Sequence, residues 1–152
     1  MIESNREIKK PSEKREIMPR FEASALRGYC VSVLTASGVE RSCAEAVADA
    51  LIDAELTGVS THGVSRLAVY MQRMDAGVMS RENNIRIVRE STSTLVVDAG
   101  NSLGAAAAKF AMERCIAKAK ETGCCFASVH SSNHFGTAAY YTRLAAAQDM
   151  IG

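Results

Sequence analysis

Residues 124–146, CCFASVHSSNHFGTAAYYTRLAA, decide the fold. The run "CCFASVH" (124–130) is continuously apolar and of strand length, the pattern of a strand buried on both faces of a sheet. "SSNHFG" (131–136) interrupts it with Ser, Asn and Gly, and "TAAYYTRLAA" (137–146) resumes at helical spacing. Strand, turn and helix in this order belong to the α/β class, which keeps its ligand-binding residues at the carboxyl ends of buried strands. His134 lies in that turn. Its position alone is equally compatible with a group that caps the next helix and with a group that moves protons near neutral pH.

The rest of the chain fits around this unit. Upstream, "LGAAAAKFAMERCIAKAKETG" predicts a helix over about 103–122, closed by Gly123, with an Ala-rich face suited to lying close against a sheet. Before it, "NIRIVRES" and "STLVVDAG" read as two short strands joined as an antiparallel hairpin. The first half of the chain is helical. "RFEASALRGYCVSVLTASG" places Phe21, Leu26, Tyr29, Val33 and Leu34 on a helical stripe and stops at Gly38. "SCAEAVADALIDAELTG" offers Ser42 and Glu45 as a capping box and ends at Gly58. A third helix is expected over about 63–76. The expected organisation is a charged tail (1–18), a helical segment (19–80) and the start of an α/β domain (81–152).

Composition removes several function classes. The chain is 47% hydrophobic and 23% charged, with a net charge of +1, so it has no large field to attract nucleic acid or an anionic membrane. Aromatics make up 5% and Trp is absent, which argues against a base-stacking platform. No apolar run reaches membrane length and the amino terminus is no secretory signal, so the expected location is cytoplasmic. The five cysteines show no C-x-x-C spacing and are read as small buried thiols. No H-E-x-x-H or carboxylate cluster supports a metal site. "GNSLGAAAAKFA" has two glycines at a helix start but lacks the rest of a dinucleotide fingerprint.

Among the three histidines, His130 falls inside the strand and reads as structural. His62 lies in "VSTHGVSRLAVYMQR". If the third helix begins there, His62, Arg66 and Tyr70 are spaced i, i+4, i+8 and share one face, since each step adds only about 40° to a full turn. An imidazole, a guanidinium and a phenol in a row suit an anionic oxygenated substrate. An ordinary helix with a polar start has the same spacing.

Together, "STHGVSRLAVY" and "SSNHFGTAAYY" resemble two motifs of the type 2 malate/L-lactate dehydrogenase family, in the same order and over about residues 21–152. That family includes ureidoglycolate, sulfolactate and Δ1-piperideine-2-carboxylate enzymes, and is unrelated to the Rossmann-type lactate and malate dehydrogenases. The resemblance implies an oxidoreductase that moves a hydride between NAD or NADP and a small 2-hydroxy or 2-oxo acid. It implies a helical amino-terminal segment before a mixed-sheet, non-Rossmann nucleotide-binding domain, and a homodimer. It further implies His134 as general acid/base and His62 as a second active-site group that orients the substrate oxygen. Arg66 matches the carboxylate-binding arginine, with Tyr70, Thr61 and Asn133 on the substrate side. Ser60 stands where many members carry Asp, which puts any carboxylate support of His62 in doubt. Cofactor-binding segments are expected mostly beyond Gly152, so the chain reads as an amino-terminal fragment that binds NADH weakly or not at all alone. The competing expectation is a non-catalytic module that keeps the fold without cofactor.

Overall fold

The computed structural model describes residues 20–152; the expected tail over 1–18 lies outside them. Three helices come first: α1 (Ala23–Ala36), α2 (Arg41–Leu56) and, after a 3-10 turn at Ser60–His62, α3 (Ser65–Asp75). The chain then forms strands β1 (Arg86–Glu90) and β2 (Thr94–Asp98), helix α4 (Gly104–Thr122), strand β3 (Phe126–His130) and helix α5 (Ala138–Ala146). The strands make one sheet in the order β1-β2-β3. The β1–β2 pair is the expected antiparallel hairpin, with a register shift between Ile87 and Arg89, and β3 runs parallel to β2. The α/β class, the helical first half and the mixed sheet are as expected.

Helix ends follow local chemistry. The peptide of Gly123 turns left-handed at φ 83° and closes α4, a conformation that costs glycine little. At α2 the expected capping box does not form. The helix starts at Arg41 behind Glu40, the Ser42 hydroxyl donates to Glu40 Oε1 at 2.6 Å, and Glu45 pairs with Arg41. Ser42 is the second residue of the helix and so lies past the N-cap position, which Glu40 occupies.

A single apolar cluster joins Leu34, Leu51 and Met74 of the first helices to Leu103, Tyr140 and Tyr141 of the second half. Ion pairs reinforce it: Asp49 on α2 accepts from Arg27 of α1 at 2.7 Å and from Lys109 of α4 at 3.1 Å, and Arg143 of α5 reaches Asp53. Three expectations about burial are overturned. Phe21 and Tyr29 are 69% and 59% exposed, because α1 turns Cys30, Val31 and Leu34 inward instead. Strand β3 is not covered on both faces: it has one strand neighbour, α4 packs on the sheet, and Phe126 stays exposed. Of the thiols only Cys30 and Cys43 are buried; Cys124 is exposed and Cys115 and Cys125 are half-buried beside an apolar groove of about 810 Å³ between α4, β3 and α5. Among the described residues no helix is long and apolar enough to cross a membrane.

Candidate active site

The two motifs meet. His134 follows β3 in the turn before α5, and its Nδ1 lies 2.8 Å from the Tyr70 hydroxyl on α3. The His62 ring stacks on the His134 ring with centroids 5.3 Å apart and planes 30° from parallel. Arg66, one turn before Tyr70, completes the group. Burial against α3 pulls the His134 pKa below the usual imidazole value, and the charges of Arg66 and His62 push it the same way. His134 is thereby held neutral at pH 7, the form that accepts a proton. Burial raises the Tyr70 phenol, against the pull of Arg66, so it stays a hydroxyl donor.

The route by which His62 reaches the site differs from the helical stripe. Gly63 is extended (φ −85°, ψ −151°), so His62 belongs to the 3-10 turn and not to α3; only Arg66 and Tyr70 share the helix. The break is imposed by Glu55, whose Oε1 accepts the Val64 N–H at 2.8 Å and fastens the start of α3. A Cβ at position 63 would lie 2.0 Å from that oxygen, so the close approach needs glycine. Thr61 Oγ1 is 3.0 Å from His62 Nδ1, and the Thr61 carbonyl accepts from Arg66 Nε at 2.6 Å. The Arg66 fork is therefore anchored at Nε, while its two terminal nitrogens have no carboxylate partner among the described residues.

Asn133 fixes the turn from below. Its Nδ2 donates toward the Asn101 carbonyl, Asn101 Oδ1 and the Ser102 carbonyl, each at 3.0 Å, which leaves Oδ1 facing Arg73 Nη2 at 3.4 Å. Asn101, in the turn that follows β2, and Ser131, the residue after β3, both adopt left-handed backbone (φ 60° and 51°), and Asn101 N–H donates to the Ser131 carbonyl at 2.7 Å. Helix α4 starts directly beneath: a Cβ on Gly104 would come within 2.1 Å of the Asn133 carbonyl. Glu55, Arg73, Asn101 and Gly104 escape sequence reading, and "GNSLG" is its one available signal. His130 stands apart at the exposed end of β3, its Nδ1 3.0 Å from the Ser131 hydroxyl and 3.8 Å from Asp98.

The model of the malate/L-lactate dehydrogenase family matches residues 21–152. The chain belongs to this family. It is 40% identical over 136 residues to the L-sulfolactate dehydrogenase of Methanothermobacter thermautotrophicus, covering 90% of this chain and 39% of that protein. Against the malate/(S)-sulfolactate dehydrogenase of Methanothermus fervidus it is 36% identical over 126 residues, 83% of this chain and 37% of the relative. The solved malate dehydrogenase from Pyrococcus horikoshii superposes with a TM-score of 0.83 at 37% identity, over 86% of this chain and 37% of that one. The chain thus spans less than two fifths of the length of these family members.

Proposed function

We propose that this chain carries the proton-transfer and substrate-anchoring part of an NAD- or NADP-dependent 2-hydroxy acid dehydrogenase, acting on a small malate- or lactate-like acid. The observation that carries the reading is the convergence of His62, Arg66, Tyr70 and His134, with His134 held neutral against Tyr70. The names of the relatives, malate and sulfolactate dehydrogenases, support the same reaction class. A homodimer in the cytoplasm is the corresponding assembly and setting.

In this reading the substrate carboxylate lies on the two free nitrogens of Arg66 and accepts two parallel bonds. Thr61 donates to His62 Nδ1, which leaves Nε2–H of His62 to donate to the oxygen on C2. The tautomer of His134 that carries its proton on Nδ1 donates to Tyr70 Oη and leaves Nε2 as the base. Nε2 takes the hydroxyl proton as C2 loses its hydride; in reduction the same nitrogen returns it. Tyr70, still protonated, turns its own O–H toward the substrate. NAD or NADP, when bound, supplies the two-electron acceptor, a partner that suits a base kept neutral. No described residue is assigned to hold it: the glycine-bearing helix start at Gly104 is covered by the Asn133 and His134 carbonyls and offers no room for a pyrophosphate.

Consumption of NADH with a panel of 2-oxo acids tests this directly. His134→Gln is expected to lower kcat by about 100-fold or more, the usual share of a positioned acid/base. A variant that keeps the wild-type rate contradicts the assignment. The competing reading is a non-catalytic module. That reading gains if no 2-oxo acid is turned over.

A further inference from the structure

His62 and Arg66 are held by a side chain that lies outside both motifs. Helix α3 begins without a cap of its own, because its N-cap residue, Val64, has no side-chain acceptor. Its start is closed from α2, where Glu55, the last residue but one, accepts the Val64 N–H on Oε1 at 2.8 Å. A carboxylate in that place also faces the positive end of the α3 dipole. Leu51 and Ala54 beside it are buried, so the carboxylate projects from a helix that the core holds still.

The contact continues into the turn. A Cβ on Gly63 would lie 2.0 Å from Glu55 Oε1, 2.4 Å from its Cδ and 2.9 Å from its Cγ. The Gly63 backbone is extended, with φ −85°, so the carboxyl group and not the backbone demands glycine here. From Gly63 the hold passes to both active-site groups. The Gly63 N–H donates to the Ser60 carbonyl at 3.1 Å and closes the turn that carries His62, and the Gly63 carbonyl accepts the Arg66 N–H at 2.9 Å. The same turn presents the Thr61 carbonyl to Arg66 Nε and Thr61 Oγ1 to His62 Nδ1.

We infer that Glu55 is a positioning residue of the reaction: its carboxylate, seated against Gly63 and on the Val64 N–H, holds the turn that aims His62 and Arg66 at the substrate. The inference rests on the dehydrogenase reading above and adds to it a residue that acts only through others. Arg66 grips a carboxylate with two bonds when its fork is already oriented; a turn free to move adds the cost of ordering that fork to every binding event. The role needs an acceptor oxygen at the reach of Glu55, which glutamine also supplies and alanine does not.

The test measures binding of L-malate to wild type, Glu55→Gln, Glu55→Ala, Gly63→Ala and the Glu55→Ala, Gly63→Ala double variant. Binding is read from the NMR signal of the His134 ring, so no cofactor is needed, and urea unfolding of each variant is recorded beside it. Glu55→Ala is expected to weaken L-malate about tenfold or more, the usual weight of a bond to a charged acceptor, and to speed exchange of the Val64 amide hydrogen. Glu55→Gln is expected to stay within about threefold of wild type, since it keeps the bond and loses only the charge assistance. Gly63→Ala is expected to match Glu55→Ala, yet to weaken binding by less than about twofold once Glu55 is alanine, because the methyl then has room. Should Glu55→Ala fail to fold, Glu55→Asp takes its place, with a carboxylate one methylene short of the Val64 N–H. A variant lacking the Glu55 bond that lowers the urea midpoint but binds L-malate as wild type does marks a purely structural residue and overturns the inference. Equal loss from Gly63→Ala in both backgrounds overturns it too. Both outcomes leave the wild-type His134 response, and with it the dehydrogenase reading, standing. Silence of His134 toward L-malate in wild type overturns that reading and this inference together.

Discussion

At the scale of single residues, the account turns on charge beside an imidazole. Arg66 and His62 add to burial in keeping the His134 proton off. A positive neighbour disfavours imidazolium, so removing it lets the pKa climb back toward the usual value near 6.5. The kcat/KM for oxidation of a 2-hydroxy acid is therefore expected to rise with pH and level off with a midpoint below about 6.5. Arg66→Gln is expected to move that midpoint upward while weakening substrate; an unmoved or lowered midpoint contradicts the electrostatic role. His62, Arg66, Tyr70 and His134 are legible in the sequence because their motifs are contiguous. Arg73 and Asn101 are not. Only the folded turn brings residue 73 to residue 133, and no local pattern in either segment encodes that meeting.

At the scale of elements, the site is held by the start of α4 pressed beneath the His134 turn. Gly104→Ala puts a methyl where the Asn133 and His134 carbonyls already lie, 2.1 and 2.6 Å from the new Cβ. Backbone atoms cannot swing aside as a side-chain tip can, so the turn must move. Urea unfolding is expected to record a loss of about 1–3 kcal/mol, with reduced turnover. Gly28 is the control. It lies inside α1 with nothing within 4 Å of an added Cβ, and Gly28→Ala is expected to stabilise by about 0.5–1 kcal/mol. A variant pair that changes stability in the reverse order would contradict the packing described.

Element reading from sequence succeeds where a single residue type forces the backbone, as Gly123 does at the end of α4. It fails at the start of α2, which begins at Arg41, one residue before the Ser42 that the pattern offers as its cap. The third helix illustrates both. Its Leu67, Tyr70 and Met74 face the core, but its first turn is displaced by Glu55, nine residues before Val64 and invisible to helical periodicity.

At the scale of the whole molecule, one apolar cluster ties the helical first half to α4 and α5, and the contact between Tyr70 and His134 lies where the two halves meet. The α/β class and the mixed sheet are legible because the strand–turn–helix pattern around His134 is local. The exposure of β3 is not, since an apolar run states that a strand can be buried and cannot state how many neighbours cover it. The central claim is a whole-molecule one: segments some seventy residues apart place His62 and His134 ring to ring, with His134 on the Tyr70 hydroxyl.

The most direct measurement is an NMR pH titration of the three histidine rings, with and without L-malate. The account predicts that His134 titrates below the usual imidazole value when free and shifts upward when the anion binds. A His134 that titrates as an ordinary surface histidine and ignores the acid would contradict it.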